Sequence, residues 1–109
     1  MTSMFLVRSE HMTHQGHLFG GDLMAEIDTI GYCLIRERYG DKSLVTRAAE
    51  ISFERPARLG DVVAFHAEIE RVGTTSVTVA VTGLVGGVRI CSANLVYVNI
   101  DATGAKKPL

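Results

Sequence analysis

The chain has 109 residues, of which 47% are hydrophobic, so it can form one compact core but not two. Eleven basic and twelve acidic residues give a formal charge of −1 at pH 7, which lacks the positive excess typical of nucleic-acid binding proteins. No apolar run has the length of a transmembrane helix, and residues 1–8 lack the pattern of a signal peptide. These features predict a single cytoplasmic domain over residues 1–109, with no nucleic-acid or membrane partner.

The first part of the chain predicts a short strand, a loop and one long helix. Residues 4–8 are apolar enough for a strand, and residues 9–19 have no regular hydrophobic period, which is typical of a loop. From Gly20 to Tyr39 apolar residues recur with the helical period, and Gly40 is a common helix terminator. Apolar residues cover more than half of this helix, which is more than one sheet face can bury. The surplus predicts contact with a second subunit.

Beyond Gly40 the hydrophobic period changes to two, which predicts four strands. They are expected at residues 44–53, 63–70, 77–82 and 88–100, with turns at residues 55–61, 72–75 and 86–87. Short connections favour antiparallel pairing, so the expected class is α+β, with one helix on a five-stranded antiparallel sheet. The last strand is nearly apolar throughout, so both of its faces are expected to be covered. The polar tail at residues 101–109 is expected to fray.

The alternation is interrupted in the first of these four strands. Val45 is assigned to the same face as Ile51 and Phe53, and Thr46 to the opposite face. Arg47 is a charged residue on the otherwise apolar face that contains Val45.

The loop before the helix ends in Gly20 and Gly21. Two glycines leave the backbone N–H groups at the helix start uncovered, and the helix dipole makes this point mildly positive. The start of the helix is therefore a place where a developing oxyanion can be held.

Asp28 lies two helical turns into the helix, at the margin of its apolar arc. A carboxylate at that margin is expected to be partly withdrawn from water. Two interpretations remain open on geometry alone: a catalytic role, and a structural role in which Asp28 bonds to solvent or to a hydroxyl of the core.

No metal or disulfide site is predicted. His11, His14 and His17 recur every third residue, which suggests a metal, but three ligands on one short loop are sterically awkward. Polar contacts within the loop or with substrate are favoured instead. Cys33 and Cys91 lie far apart in apolar segments and are expected to be reduced core thiols.

Three groups of residues resemble the motifs of the hot-dog-fold acyl-CoA thioesterases, above all the bacterial cytosolic broad-range acyl-CoA hydrolases. The matching residues are Gly16, Phe19, Gly20, Gly21, Met24 and Asp28, then Phe53, Arg55, Pro56, Gly60 and Asp61, then Gly73, Thr74, Thr75 and Ser76. The resemblance implies a sheet wrapped around a central helix and a role in lipid metabolism. It also implies a dimer with a continuous sheet, often assembled as a trimer of dimers, with active sites at the dimer interface.

The resemblance also implies roles for individual residues. Asp28 matches the family's catalytic carboxylate, which would act as a general base on water or as a nucleophile through an anhydride. The backbone N–H of Gly21, with help from Gly20, would polarise the thioester carbonyl of an acyl-CoA substrate. No cofactor is implied, because coenzyme A is part of the substrate.

The chain departs from the family pattern at Thr13, where relatives usually carry Asn. A hydroxyl offers one donor where an amide offers two. Thr13 is therefore the candidate for the second catalytic residue, with His14 or Gln15 as substitutes.

Coenzyme A carries phosphates, so basic side chains are expected around its site. Arg55 and Arg71 are the first candidates because they adjoin the turn motifs, and Thr75 and Ser76 are candidates for the pantetheine amides. The other basic candidates are Arg58, Arg89, Lys106 and Lys107.

Three alternatives to hydrolysis stay open. The departure at Thr13 is compatible with a non-catalytic hot-dog module that binds acyl-CoA. The histidines before the helix keep open a dehydratase of acyl thioesters. A purely structural oligomer subunit would show neither binding nor turnover.

Overall fold

The computed structural model describes residues 1–16, 18, 20–40 and 42–109, and within them the chain forms five strands, one long helix and one 3₁₀ turn. The strands are β1 (Thr2–Leu6), β2 (Leu44–Phe53), β3 (Val62–Val72), β4 (Ser76–Val85) and β5 (Val88–Asn99), the helix is α1 (Gly20–Tyr39), and the 3₁₀ turn is Ser9–His11. The predicted order of the elements is confirmed, and α1 and β2 have the expected bounds. β1 begins and ends earlier than expected, and β3 and β4 continue further toward their turns.

The strands form one antiparallel sheet in the order β1-β3-β4-β5-β2, and α1 packs across one face of it. The core lies between helix and sheet, where Ile27 and Ile30 of α1 meet alternate side chains of the central strands, such as Phe65, Val79 and Leu95. The expected α+β architecture is confirmed, and β1 and β2 are the edges of the sheet. Among the residues described, no helix is both long and apolar enough to cross a membrane.

A bulge at Arg47 changes which face of β2 carries which residue. Thr46 pairs with Tyr97 of β5 and Ala48 pairs with Val96, so Arg47 is an extra residue in the ladder. Thr46 therefore lies on the helix side of the sheet, together with the buried Tyr97, and Val45 lies on the outer side. The predicted faces of Val45 and Thr46 are wrong, because one inserted residue inverts the alternation on one side of the bulge.

The tail after β5 does not fray, contrary to the prediction. The backbone N–H of Lys107 donates to the Asn99 carbonyl at 2.9 Å, and that of Leu109 donates to the Thr74 carbonyl at 3.0 Å. The Asp101 carboxylate accepts hydrogen bonds from Thr103 and Ala105, and the bonds from Thr103 are the main reason that the pKa of Asp101 is lowered. These bonds return the tail to the end of the sheet.

The outer face of β5 is covered only in part. Val98 is buried, but Asn94 is exposed and Val96 is half-buried. The expectation that both faces of this strand are covered is therefore wrong for the single chain, because α1 shields only one side of the sheet.

The two cysteines are both free but differ in environment. Cys91 is buried in the core, as expected, whereas Cys33 is exposed on α1. The prediction of two core thiols is correct for Cys91 and wrong for Cys33.

We expect the free energy of unfolding to fall as the pH rises from 9 to 11, through Cys91. Burial raises the pKa of this thiol from 9.0 to about 11, so above pH 9 the unfolded chain loses a proton that the folded chain keeps. The contribution of Cys91 to the free energy of unfolding is fully present below pH 9. Between pH 9 and about pH 11 it is lost, by no more than about 1.4 kcal/mol per pH unit. Urea unfolding at pH 8 and pH 10 measures the effect, and Cys91→Ala should lose less stability between the two. An equal loss in both proteins contradicts the assignment.

Candidate active site

The first turn of α1 presents uncovered backbone donors. Gly20 and Gly21 are the first two residues of the helix, so their N–H groups have no partner within it. Gly20 is half-buried and Gly21 is exposed. Apart from its chain neighbours and the backbone of its own helix, no described atom lies within 4 Å of the place where a Cβ of Gly20 would be. A ligand oxygen can therefore approach this end of the helix.

A cavity of about 280 Å³ opens beside these glycines. It lies between the start of α1 and the segment after β2, and its lining is mostly apolar. Its lining residues are Leu18, Gly20, Leu23, Phe53, Glu54, Arg55, Pro56 and Ala57. Two charged residues belong to this lining. Glu54 forms an ion pair with Arg89 at 3.0 Å, so the positive charge of Arg55 stays available for a ligand.

Asp28 is held by a hydroxyl from the neighbouring strand. The Thr46 hydroxyl donates to Asp28 Oδ1 at 3.3 Å, and both residues are exposed in the single chain. Met24 and Tyr32, one turn before and one turn after Asp28, are also exposed, at 47% and 46%. The expected withdrawal of Asp28 from water is therefore not found in an isolated subunit, because none of the elements in the described part of the chain covers this side of α1.

Tyr97 lies behind Thr46, in the core. It is fully buried, and its hydroxyl has no hydrogen-bond partner among the described residues. Burial raises the pKa of this hydroxyl well above its ordinary value, the charge of Asp28 adds to the rise, and the neighbouring Thr46 hydroxyl opposes it. A buried unpaired hydroxyl costs about 1–3 kcal/mol, whereas the other buried polar side chain described, that of Asn99, donates a hydrogen bond to the Pro108 carbonyl.

Sequence reasoning missed both Thr46 and Tyr97. The interruption of the alternation at Arg47 was a signal for Thr46, since a bulge there brings Thr46 to the helix side. Gly31 in the middle of α1 was a weaker signal for Tyr97. A Cβ at Gly31 would collide with the Tyr97 hydroxyl, so the glycine makes room for the ring.

One chain does not contain a complete site. Asp28 and Gly21 are seven residues apart on one helix, which separates them by about 10 Å along its axis. A group that activates water must lie within hydrogen-bond reach of it, and the water must lie about 3–3.5 Å from the carbonyl carbon. The Asp28 side chain is too short to act on a carbonyl held at Gly21 of its own chain.

The loop before α1 holds Thr13 in a local turn. The backbone N–H of Gln15 donates to the Thr13 hydroxyl at 3.3 Å, and the hydroxyl keeps its own proton to donate. His11 accepts a hydrogen bond from the Arg8 backbone at 3.0 Å, and His14 is exposed.

The predictions on His17 and Phe19 lie outside the described residues. Within the part of the chain that the structure describes, no three His, Cys, Asp or Glu side chains are grouped so that they could hold a metal ion.

The predicted coenzyme A ligands do not converge within one chain. Arg55 lines the cavity at the start of α1. Arg71 pairs with Thr78 of β4, beyond a bulge in β3. Along the strand direction, this pair lies about five residues, or roughly 16 Å, from the position of Phe53 in the sheet. Thr75, in the β3–β4 turn, and Ser76, the first residue of β4, lie at that far end. The Thr75 carbonyl accepts a hydrogen bond from the Asn99 backbone N–H, and the Ser76 carbonyl accepts one from Gly73.

The other basic candidates also lie apart. Arg89 is paired with Glu54, and Lys107 lines a separate polar cavity near the end of α1. Arg58 and Lys106 are exposed.

A long helix packed across a five-stranded antiparallel sheet, with its N-terminus open at a cavity, defines the hot-dog class of α+β proteins. The family model of the thioesterase superfamily matches residues 15–92. The chain therefore belongs to the thioesterase superfamily.

Individual relatives agree with this family. The chain is 31% identical over 103 residues to the acyl-CoA thioester hydrolase YciA of Salmonella typhimurium, covering 86% of this chain and 77% of the relative. Among solved structures it is similar to the acyl-CoA hydrolase of Staphylococcus aureus in complex with butyryl coenzyme A, coenzyme A and coenzyme A disulfide. The identity is 26% and the TM-score 0.88, and the match covers 99% of this chain and 67% of the other. It is also similar to the hexameric thioesterase y2039 of Yersinia pestis, with 28% identity, a TM-score of 0.86 and coverage of 98% and 92%.

Proposed function

We propose that this protein hydrolyses acyl-CoA thioesters to a free acid and coenzyme A. The observation that carries the proposal is the Asp28 carboxylate, held by Thr46 and exposed on the same face of α1 as the open helix start at Gly21. The Salmonella relative, named as an acyl-CoA thioester hydrolase, supports the substrate class.

The active site would be shared between two copies of the chain. β2 is a ten-residue edge strand whose outer edge is unpaired among the described residues, and such an edge can pair with another strand. Antiparallel pairing of two β2 strands about a two-fold axis would cover the exposed row at Met24, Asp28 and Tyr32 with a second copy of α1. It would bring Asp28 of one copy toward Gly21 of the other. The Yersinia relative is hexameric, which supports a trimer of such dimers.

The same two-fold axis would bring the scattered coenzyme A candidates together. Antiparallel copies invert the two ends of the sheet, so Arg71, Thr75 and Ser76 of one copy would approach the cavity and Arg55 of the other. We assign the phosphates to the two arginines and the pantetheine amides to the two hydroxyl residues.

The chemistry follows from these positions. The thioester carbonyl accepts hydrogen bonds from the Gly21 and Gly20 N–H groups, and the helix dipole stabilises the charge that develops on its oxygen. Asp28 either removes a proton from the attacking water or attacks the carbonyl itself to form an anhydride that water then cleaves. In both routes the coenzyme A thiolate leaves and is protonated. Thr13 donates its hydroxyl proton to the water or the carbonyl.

Product analysis separates this reaction from its alternatives. Acyl-CoA substrates from short to long chains are incubated with the protein, and free thiol, free acid and unsaturated acyl-CoA are measured together. Hydrolysis yields thiol and free acid in equal amounts. An unsaturated product without thiol would indicate a dehydratase. Tight binding without any product would indicate a binding module, and neither binding nor product a structural subunit.

A further inference from the structure

Tyr97 carries a polar group that the hydrolytic step does not use. Its hydroxyl is buried between α1 and the sheet and has no hydrogen-bond partner among the described residues. The fold makes specific room for it, because any side chain at Gly31 would collide with this oxygen. A phenylalanine would fill the same space without the cost of an unpaired hydroxyl.

The Thr46 hydroxyl is the polar group beside this phenol. Thr46 and Tyr97 face each other across the β2–β5 ladder, on the helix side of the sheet. Thr46 uses its only proton to donate to Asp28 Oδ1 at 3.3 Å, which leaves lone pairs on its oxygen free to accept. The ionisable groups around the phenol are Asp28 and Cys33, both on α1.

The phenol is a donor throughout the working range of an enzyme. Burial raises the pKa of Tyr97 above its ordinary value, and the Asp28 charge acts in the same direction, so the hydroxyl stays protonated at neutral pH.

We propose that Tyr97 is a positioning residue: in the single chain its hydroxyl is unpaired among the described residues, and when a second copy covers this side of α1 the hydroxyl turns to donate its proton to Thr46 and thereby directs the Thr46 proton toward Asp28. With its oxygen engaged from behind, the Thr46 hydroxyl no longer rotates toward other acceptors. The donated bond holds one oxygen of the Asp28 carboxylate and leaves the other oxygen for water or substrate. The chain of three groups strengthens each bond through mutual polarisation. This inference rests on the proposed function of Asp28.

Tyr97→Phe tests the inference in the full-length oligomer. The substitution keeps the ring and removes only the hydroxyl, so the fold is retained. We expect kcat/KM for acyl-CoA hydrolysis to fall roughly tenfold, a part of the 10²–10⁴-fold typical of a general base. We also expect the loss to lie in kcat rather than in KM, because Asp28 acts in the chemical step. Tyr39→Phe, at the far end of α1, is the matched control and should leave both unchanged.

Thr46→Val supplies a second variant, since valine keeps the shape and removes the relay hydroxyl. The double variant Thr46→Val/Tyr97→Phe should have the same kcat/KM as Thr46→Val alone, because both changes interrupt the same chain of hydrogen bonds. Additive losses, or a Tyr97→Phe protein with the wild-type kcat, would overturn the inference.

An infrared difference spectrum of the carboxylate stretching bands, taken as wild type minus Asp28→Asn and repeated in the Tyr97→Phe background, reports on the hydrogen bonding of Asp28 without turnover. If the wild type hydrolyses no acyl-CoA, the proposed function fails, and this spectrum still decides whether Tyr97 acts on Asp28. An unchanged Asp28 band overturns the inference even if hydrolysis is found.

Discussion

Replacing Asp28 by Asn is expected to lower kcat for acyl-CoA hydrolysis at least 100-fold. An amide cannot take a proton from water and cannot attack a thioester, and general base catalysis contributes about 10²–10⁴-fold. The amide oxygen still accepts the bond from Thr46, and Asp28 is exposed, so the core and the pairing of the strands are undisturbed. Release of free coenzyme A thiol measures the loss.

The matched control for this prediction is Glu37→Gln, which makes the same change of carboxylate to amide at another exposed position of α1. Its kcat should stay at the wild-type value. If the Asp28→Asn protein hydrolysed acyl-CoA as fast as the Glu37→Gln protein, Asp28 would have no part in the mechanism.

Replacing Gly31 by Ala is expected to lower the free energy of unfolding by about 1–3 kcal/mol, the usual cost of overpacking a core. This is the reverse of the ordinary effect, since alanine in a helix interior is more favourable than glycine by roughly 0.5–1 kcal/mol. The added Cβ would meet the Tyr97 hydroxyl and would lie 2.7 Å from Leu95 Cδ1. Urea unfolding measures the change.

Two further variants test whether the lost stability comes from the contact between residue 31 and Tyr97. Gly20→Ala adds the same methyl group where the structure describes no atom within 4 Å, so its stability should be close to wild type. Tyr97→Phe in the Gly31→Ala background should restore part of the loss, because it removes the oxygen nearest to the new methyl. A Gly31→Ala protein as stable as wild type would mean that the helix and Tyr97 are not in close contact.

The elements that the sequence predicts well are those with one uninterrupted period. α1 has the helical period from Gly20 to Tyr39 and a glycine after it, and these local signals suffice for its bounds. β2 was also bounded correctly, yet its faces were not. Arg47 interrupts the alternation, but the pattern alone does not distinguish a bulge from a charged residue on the apolar face. That single residue decides whether Thr46 contacts Asp28 or faces outward.

The candidate site divides in the same way. Asp28, Gly20 and Gly21 can be proposed as site residues from the sequence, because the chemistry and the motif lie within one helix. Tyr97 is not found, because its relation to Asp28 arises only when β5 is packed beneath α1. The convergence of Arg55 with Arg71 cannot be judged from local pattern either, since the two lie at different ends of one sheet.

The activity of mixed assemblies tests most directly whether two copies share one hydrolytic site. Gly21→Pro removes the N–H donor in the first helical turn, where proline is tolerated, and Asp28→Asn removes the base. Each variant alone should release almost no thiol from acyl-CoA. Chains of the two variants assembled together at random should recover about a quarter of wild-type activity, because half of the dimers are mixed and each of these has one intact site of two. A mixture as inactive as its components would contradict a shared site, because a site built within one chain would carry a lesion in every subunit.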